Sequence, residues 1–233
     1  MARLAVLASG RGTNFQAIVE AMRLRDQAHR CEVAEGSTFR DLTGAALLDG
    51  RIPAGSGGAA AGNVARRHEC VLLVHDRKDA MAAVRARDLG VPALHVGYAG
   101  RTREEAEAAI DAALRASGAD LVALAGFMRI LSPAFVARWK GRLVNVHPSL
   151  LPLWPGAEAI HRAFAAGERR FGVTVHFVDE GMDTGPIIAQ DEFEVEQGES
   201  EVEVEERIHR LEHALYPKVV LDLLDRIDSE VSA

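Results

Sequence analysis

The sequence has few cysteines and no hydrophobic run of membrane length. Only two cysteines, Cys31 and Cys70, occur among the 233 residues, and their separation does not match a metal-binding pair. Such low cysteine usage indicates a reduced, cytoplasmic protein. No apolar stretch reaches the ~18 residues that a membrane helix needs. The N-terminal stretch MARLAVLASGRG enters a glycine turn too early for a signal peptide, so we predict a soluble protein without membrane contact.

The sequence also lacks an excess of basic residues, because its formal net charge is −7. Binding along a nucleic-acid backbone needs a concentrated cationic surface, so we do not expect nucleic acid as a partner. Nine histidines are scattered along the chain. His209 and His213 have the i, i+4 spacing of two ligands on a helix, but no third ligand lies near them in the sequence, so we predict that they belong to a solvated helix face. We therefore predict no metal site, and the sequence does not decide between a monomer and a homodimer.

Short apolar runs alternate with helix-like segments over most of the chain. Alanine-rich segments near 14–28, 79–89 and 102–116 predict helices. The runs between them are rich in Val, Leu and Ala, as in strands that are covered on both faces. The predicted strands are Leu4–Ala8, Cys70–Val74, Ala93–Val96, Leu121–Ala125, Leu143–His147 and Val173–Val178. The alternation predicts an α/β fold, with a Rossmann-like, mostly parallel sheet and helices on both faces, in a single domain over 1–233.

Two regions depart from this alternation. Val173–Val178 alternates apolar and polar residues, which predicts antiparallel pairing at one side of the sheet. Ser200 and Glu203 match a helix capping box, and the helix that follows should break or kink at Pro217. The segment at about 31–69 contains Gly-Ser-Gly-Gly-Ala-Ala-Ala-Gly and has little periodicity. We predict that this segment is an insertion in the domain.

A pair of polar side chains marks the end of one predicted strand. In RLVNVHPSLLP, Asn145 and His147 interrupt an apolar run two positions apart, and Pro148 follows. Residues two apart point to the same face of a strand, and proline is poorly suited to continue a central strand. The pair is therefore expected at the carboxyl end of the strand, where open α/β sheets bind ligands. A hydrogen-bond donor beside a titratable base suits carbonyl chemistry, but a buried histidine and a turn asparagine explain these residues equally well.

The glycine turn in LASGRGTNFQAI fits neither common phosphate-binding fingerprint. Its glycines match the first two positions of G-x-G-x-x-G, but Phe15 occupies the third, and no Gly-Lys-Ser/Thr follows. The turn opens a helix, for which Thr13 and Gln16 have capping-box spacing. Free N–H groups and the helix dipole favour an anion at such a position. The turn alone leaves two interpretations open, a phosphate site at Gly12, Thr13 and Asn14 or an ordinary tight turn.

A second polar cluster follows the last predicted strand, in TVHFVDEGMDTGPII. Gly181 and Gly185 allow the backbone to turn sharply and to approach a ligand closely. An aspartate in such a loop can orient or charge-stabilise a histidine of a neighbouring strand. The linear sequence does not decide between a contact of Asp183 with His147 and a solvated turn aspartate.

Taken together, these stretches resemble the folate-dependent formyltransferase family. The matching stretches are LASGRGTNFQAI at the start, LAGFMRILSPAFV at 124–136, RLVNVHPSLLPLWPG at 142–156, GVTVHFVDEGMDTGPIIAQ at 172–190 and EHALYP at 212–217. The resemblance extends over nearly the whole chain except 31–69. It implies the formyltransferase fold and transfer of a formyl group from 10-formyltetrahydrofolate, as co-substrate, to an amine. In the branch with the nearest motifs that amine belongs to glycinamide ribonucleotide, which implies small-molecule substrates and a step of purine biosynthesis.

The resemblance also implies roles for individual residues. Asn145 would donate a hydrogen bond to the tetrahedral oxyanion, and His147 would act as a donor or proton-transfer group. Asp183 would set the charge state of His147 and relay protons through water. Four residues are expected to bind the ribonucleotide: Gly12, Thr13, Asn14 and Glu212. The segment that lines the folate pocket in the family corresponds to Phe127, Met128, Arg129, Ile130 and Leu131. The loop that binds the pterin through its backbone corresponds to Val178, Asp179, Glu180, Gly181 and Met182. Arg103 is expected near the folate tail.

The sequence departs from the family pattern in three places. The segment between the first helix and the second strand is longer than usual. His75 and Asp76 stand where the family commonly has Ser-Asn. Glu158 stands where relatives often carry a histidine, for which His161 and Arg162 are candidate substitutes, shifted along the chain. These departures affect the expected ribonucleotide contacts more than the catalytic residues.

Other functions within and beyond the family are alternatives. A hydrolase that releases formate from 10-formyltetrahydrofolate usually carries His-His where this chain has His147-Pro148, together with an N-terminal regulatory domain. A transferase that acts on initiator tRNA would add a basic C-terminal domain. Transferases that act on nucleotide-linked amino sugars match the N-terminal turn less well. A binding module without catalysis is disfavoured because Asn145, His147 and Asp183 are all retained.

Overall fold

One sheet of seven strands forms the centre of the computed structural model, which describes residues 1–41 and 68–231, with residues 29–41 described by their backbone only. The strands are β1 (Arg3–Ala8), β2 (Glu69–His75), β3 (Ala93–His95), β4 (Leu121–Leu124), β5 (Leu143–His147), β6 (Arg170–Phe177) and β7 (Ile187–Glu194). The helices are α1 (Thr13–Asp41), α2 (Met81–Asp88), α3 (Arg103–Ala116), α4 (Pro133–Arg138), α5 (Ala159–Ala165) and α6 (Glu201–Val231).

The strand order is β3-β2-β1-β4-β5-β6-β7. The first five strands in this order pair in parallel, while β6 pairs antiparallel with β5 and β7 pairs antiparallel with β6. The predicted α/β fold with a mostly parallel sheet is therefore confirmed, and so is the antiparallel side. None of the helices described above is long and apolar enough to cross a membrane.

Two hydrophobic clusters cover the two faces of the sheet. Leu4 and Val6 of β1 pack in the cluster that includes residues of α1 and α6, whereas Ala5 and Leu7 pack in the cluster that includes residues of α3. This alternation follows from the strand geometry, in which successive side chains point to opposite faces. Each fully buried Leu or Val contributes about 1.5–3 kcal/mol relative to an exposed one. The doubly covered strands hold the carboxyl ends of β4 and β5 rigidly at one edge.

Strand β7 was not predicted from the sequence. It lies at the edge of the sheet, and its sequence, IIAQDEFE, is largely exposed and lacks a continuous apolar face. The capping box predicted for Thr13 and Gln16 is wrong. Helix α1 already includes Thr13, and the Gln16 side chain donates to Glu20 and accepts from Arg85 instead. By contrast, the capping box at Ser200 and Glu203 is confirmed by reciprocal hydrogen bonds.

The segment predicted as an insertion begins inside a helix. Helix α1 continues to Asp41, whereas the sequence predicted a helix only near 14–28 because little periodicity follows it. The remainder of the segment, 42–67, lies outside the described residues. Pro217 does not end helix α6, which continues to Val231. Pro217 is buried, and packing on both sides of it outweighs the loss of one helical hydrogen bond.

Tyr216 ties helix α6 to the two central strands beside the site. Its side chain is fully buried, and its hydroxyl lies 3.0 Å from the Leu124 carbonyl oxygen and 3.1 Å from that of Val144, as the donor to both. Removing the hydroxyl leaves buried carbonyl oxygens without this donor. We expect Tyr216→Phe to lower the free energy of unfolding by about 1–3 kcal/mol. Denaturant unfolding of the two proteins checks this, and equal stabilities would contradict it.

Candidate active site

A cleft of about 800 Å³ opens at the carboxyl ends of β4 and β5. The strands end there because Pro148 and the glycine turn after β4 leave the parallel ladder. The structure brings most of the predicted site residues to this cleft. It is lined by the predicted catalytic residues and by both predicted folate-binding segments: Asn145, His147, Asp183, Phe127, Met128, Arg129, Ile130, Leu131, Val178, Asp179, Glu180, Gly181 and Met182.

Both ring nitrogens of His147 are oriented by neighbours. Nε2 lies 2.9 Å from the carbonyl oxygen of Trp154, and Nδ1 lies 3.4 Å from Oδ2 of Asp183. A carbonyl oxygen only accepts hydrogen bonds, so Nε2 carries the hydrogen. Nδ1 is therefore the nitrogen that faces the Asp183 carboxylate. The predicted contact between His147 and Asp183 is present.

Asp183 is held as an ionised carboxylate between two histidines. Its Oδ2 accepts from the backbone N–H of Gly156 at 2.8 Å, and its Oδ1 lies 3.6 Å from Nε2 of His176. The pKa of Asp183 is lowered from 3.8 to about 2, and the hydrogen bond with His176 contributes most to this shift. Gly156 and His147 lower the pKa further, and these interactions together outweigh burial, which raises it. A charged carboxylate at neutral pH therefore faces both imidazoles.

His176 belongs to the site but was not predicted. In the β5–β6 register it lies opposite Asn145, and its Nε2 is 3.3 Å from Asn145 Nδ2. Its Nδ1 donates to the carbonyl oxygen of Phe177 at 2.9 Å, so Nε2 is the ring nitrogen that faces both the Asn145 amide and Oδ1 of Asp183. This contact orients the Asn145 amide and leaves its second N–H for a ligand. A histidine within the predicted strand TVHFV was the available signal, but only the antiparallel register places it beside Asn145.

The loop after β6 leaves little space at its two glycines. A Cβ atom at Gly185 would lie 1.8 Å from the Phe177 carbonyl oxygen, and one at Gly181 would lie 2.0 Å from the hydroxyl of Thr184. The contact at Gly185 is with backbone, so glycine is required there, whereas the contact at Gly181 is with a side chain that a Cβ atom would displace. Asp179 closes the same loop by accepting from Gly181 N–H at 3.0 Å. The backbone of the loop therefore approaches the cleft closely, as its glycines predicted.

The glycine turn after β1 lies at the border of the cleft. Gly12 has a φ of +70°, and a Cβ atom there would lie 2.7 Å from Ala82. The N–H of Ser9 donates to the Gly126 carbonyl at 3.1 Å, and the Ser9 hydroxyl accepts from Met128 N–H at 2.9 Å. These bonds join the turn to the loop that lines the cleft. Neither Gly12 nor Thr13 lines the main cleft itself.

Asn14 and Glu212 meet beside this turn. Asn14 Nδ2 donates to Glu212 Oε2 at 3.1 Å, and both side chains are buried. His209 Nδ1 lies 3.1 Å from the same oxygen. This hydrogen bond is the main cause of the raised pKa of His209. The charges of Glu212 and Glu205 raise the pKa further, whereas burial lowers it. Arg11 completes the group at 3.2 Å from His209 Nε2. The sequence had assigned His209 to a solvated helix face, whereas the structure places it in a polar group at the start of α1.

Comparisons with known proteins agree with this arrangement. The sequence pattern of the family described as formyl transferase matches residues 59–220. The chain belongs to the formyl transferase family. Its resemblance to this family is therefore confirmed over most of its length.

Individual formyl transferases are similar over nearly the whole chain. The phosphoribosylglycinamide formyltransferase of Bacillus subtilis is 36% identical over 225 residues, which cover 96% of this chain and 95% of that protein. The trifunctional purine biosynthetic protein adenosine-3 of Drosophila melanogaster is 35% identical over 99% of this chain, but the match spans only 15% of that longer protein. The crystal structure of glycinamide ribonucleotide transformylase 1 from Geobacillus kaustophilus has a TM-score of 0.76 and 39% identity, covering 96% of this chain and 99% of that one.

Some residues expected from formyl transferases lie apart from the cleft. Arg103 is the first residue of α3, forms an exposed pair with Glu104 at 3.7 Å, and does not line the cleft, so its role at the folate tail stays a prediction. His161 pairs with Glu201 at 2.9 Å, outside the cleft, and is not positioned to replace the family histidine. Glu158 lines the cleft itself, with a φ of +55°.

Arg162, the other suggested substitute, supports the wall of the cleft. Its guanidinium donates to the backbone carbonyls of Pro155 and Ala157 and lies 5.9 Å from the Trp154 ring centroid. Arg162 thereby braces the segment whose backbone contacts His147 and Asp183. Among the side chains that the structure describes, those of residues 1–28 and 68–231, no cluster of three or more His, Cys, Asp and Glu could hold a metal ion.

Proposed function

We propose that this protein transfers the formyl group of 10-formyltetrahydrofolate to the amine of glycinamide ribonucleotide, in purine biosynthesis. The observation that carries the proposal is the meeting of Asn145, His147 and Asp183 in one cleft, with His147 Nδ1 3.4 Å from Asp183 Oδ2. The 36% identity to the Bacillus subtilis phosphoribosylglycinamide formyltransferase supports the choice of acceptor. The low cysteine content is consistent with a reaction in the reducing cytoplasm.

The cleft offers apolar surface to the folate co-substrate. Met128 and Ile130 are 76% and 69% exposed, although large apolar side chains are usually buried, and both line the cleft. A flat aromatic ligand would cover such side chains and gain hydrophobic stabilisation. Backbone groups of the glycine-containing loop, from Val178 to Met182, would supply the directional hydrogen bonds to the pterin.

The ribonucleotide would extend from the glycine turn to Asn145. Its phosphate would bind at Gly12, Thr13 and Asn14, where the start of α1 favours an anion. Glu212 would contact the ribonucleotide from α6. Tyr216, one turn further along α6, donates to the carbonyl oxygen of Val144, the residue before Asn145. A substrate held between the turn and Glu212 would thus have its amine end directed toward the end of β5.

The transfer begins with attack of the acceptor amine on the formyl carbon. A C–N bond forms, and the carbonyl oxygen becomes the oxyanion of a tetrahedral intermediate. The free N–H of the Asn145 amide donates to this oxygen. The bond from the formyl carbon to N10 of the folate then breaks, which returns the carbonyl and leaves tetrahydrofolate.

Proton transfer completes the reaction. The attacking amine loses one proton and N10 gains one, so no net proton is released. His147 Nδ1 can hold the transferred proton, because the adjacent Asp183 carboxylate stabilises the imidazolium that forms. Water between the amine, His147 and N10 would carry the proton over the remaining distance. No step of this scheme requires a metal.

The first experiment is a formyl-transfer assay that follows the absorbance of the folate. The purified protein is incubated with 10-formyltetrahydrofolate, with and without glycinamide ribonucleotide. We expect turnover only when the ribonucleotide is present. Equal turnover without it would favour the formyltetrahydrofolate hydrolase alternative, and folded protein that is inactive in both reactions would exclude this acceptor.

A further inference from the structure

One end of the cleft carries a single strong cation. Arg129 is the only Arg or Lys among the described residues that line the cleft. Its side chain is 45% exposed, so it is accessible to a ligand. A folate co-substrate carries carboxylates on its glutamate tail, and a guanidinium is the side chain that binds carboxylates best. The tail of a bound folate would therefore be directed toward Arg129.

A buried carboxylate holds this arginine in place. Arg129 Nε donates to Oδ2 of Asp76 at 2.6 Å, and the Asp76 side chain is only 2% exposed. The guanidinium carbon lies 4.8 Å from the centroid of the Tyr98 ring, within the range of a cation–π contact. Burial raises the pKa of Tyr98 to about 12, with smaller contributions from Glu107 and Asp76, so the ring stays neutral. Arg129 is thus restrained by two groups behind the cleft wall.

The arrangement leaves the ligand-binding end of Arg129 open. Only Nε is used by Asp76, and within the described residues no hydrogen bond to the terminal Nη groups is seen. A guanidinium presents these two amino groups as a planar fork that matches a carboxylate. Fixing Nε in advance removes part of the rotamer entropy that a free arginine would lose on binding.

Asp76 also has no other evident role. Its Oδ1 is buried and lacks a hydrogen-bond partner within the described part of the chain, so Arg129 is the one charged group that compensates it there. A buried carboxylate is unfavourable unless it is paired. The formyltransferase pattern commonly has an asparagine at this position, so the charge distinguishes this chain from that pattern.

We propose that Asp76 is a positioning residue, which holds Arg129 so that its terminal amino groups bind the tail carboxylates of the folate co-substrate. This inference rests on the function proposed above. Asp76 itself does not contact the ligand. Asp76 therefore contributes only to the affinity for the folate tail, which Arg129 binds. A residue that merely stabilises the fold would affect binding of the whole ligand.

The test compares folic acid with pteroic acid, which lacks the glutamate tail. Dissociation constants are measured by titration for the wild-type protein and for Asp76→Asn, which keeps the shape of the side chain but removes its charge. We expect the wild-type protein to bind folic acid more tightly than pteroic acid. Asp76→Asn should weaken folic acid binding by about fivefold, the effect of one side chain that is no longer held in advance. Pteroic acid binding should stay within about twofold.

Two further variants connect this effect to Arg129. In the Arg129→Gln background, adding Asp76→Asn should cause no further loss of folic acid affinity, because the two residues act as one unit. Glu192→Gln is the matched control, since it removes a carboxylate that pairs with Arg170 at the edge of the sheet, outside the cleft. We expect it to change neither dissociation constant.

Other results would overturn the inference. Equal weakening for both ligands would mean that Asp76 only supports the fold. Tighter folic acid binding in Asp76→Asn would mean that Asp76 neutralises Arg129 rather than positions it. A wild-type protein that does not distinguish the two ligands would exclude a tail site at Arg129. Tail-dependent binding without formyl transfer would instead set aside the proposed reaction and leave this inference standing.

Discussion

Asn145→Ala should lower kcat for formyl transfer by about 10²–10³, the usual effect of removing one oxyanion donor. The amide is oriented before the substrate binds, because its Nδ2 lies 3.3 Å from His176 Nε2 on the neighbouring strand. Alanine offers no donor, so the negative charge that develops on the formyl oxygen would lose its hydrogen bond. Steady-state kinetics in both substrates measures the change.

The split between kinetic constants distinguishes this role from simple binding. A donor that acts only in the transition state lowers kcat and kcat/KM together and leaves KM for both substrates nearly constant. Gln190→Ala is a matched control, because it also removes an amide that bonds across strands, to Thr174 Oγ1 at 2.8 Å, but outside the cleft. We expect the control to keep wild-type kcat. A folded Asn145→Ala enzyme with near-normal turnover would contradict the assignment of Asn145.

The position of Asn145 and His147 could be predicted because it depends on local geometry. The two-residue period of a strand places both side chains on one face, and proline at 148 marks the strand end. The alternation of apolar runs with helices likewise predicted the parallel sheet. These features depend on neighbours within a few residues, and a sequence displays such neighbours directly.

Contacts between distant segments could not be predicted in the same way. His176 lies opposite Asn145 only because β6 runs antiparallel to β5 in one particular register. Asp76 reaches Arg129 across two loops at the same edge of the sheet, 53 positions apart in the chain. Periodicity contains no information on either pairing. The polar edge strand β7 escaped prediction for a different reason, since an exposed strand needs no apolar face.

The family resemblance supplied what periodicity could not. It assigned the folate-binding segments on either side of the cleft, and both line it. It also assigned Arg103 to the folate tail, and this role stays a prediction, because Arg103 lies on α3 and does not line the cleft. It did not indicate that the Trp154 carbonyl fixes the hydrogen of His147 on Nε2.

Asp183→Asn should lower turnover by about 10²–10⁴, because it removes the charge that supports proton transfer at His147. The backbone should tolerate this change. Asp183 has a φ of +56°, and asparagine is one of the few residues that adopt such a conformation readily. The amide oxygen can still accept from the N–H of Gly156. A loss of turnover in this variant would therefore reflect charge rather than a rearranged loop.

The same substitution should change how stability depends on pH. The pKa of Asp183 falls from 3.8 to about 2 in the folded protein, chiefly through the hydrogen bond with His176, and the side chain is only 14% exposed. A carboxylate whose pKa is lowered by folding stabilises the folded state at pH values above its unfolded-state pKa. This stabilisation is lost as the pH falls through its folded-state pKa. The shift corresponds to about 2 kcal/mol at neutral pH.

We therefore expect wild-type protein to exceed Asp183→Asn by about 2 kcal/mol in unfolding free energy at pH 7. The difference should narrow below pH 3.8 and nearly vanish close to pH 2. Asp120→Asn is the matched control, because Asp120 also accepts from a backbone N–H, that of Arg3 at 2.8 Å, but at the opposite end of β1. It should leave turnover unchanged. A difference for Asp183→Asn that is constant from pH 7 to pH 2 would mean that packing, and not the carboxylate charge between the two histidines, stabilises the loop.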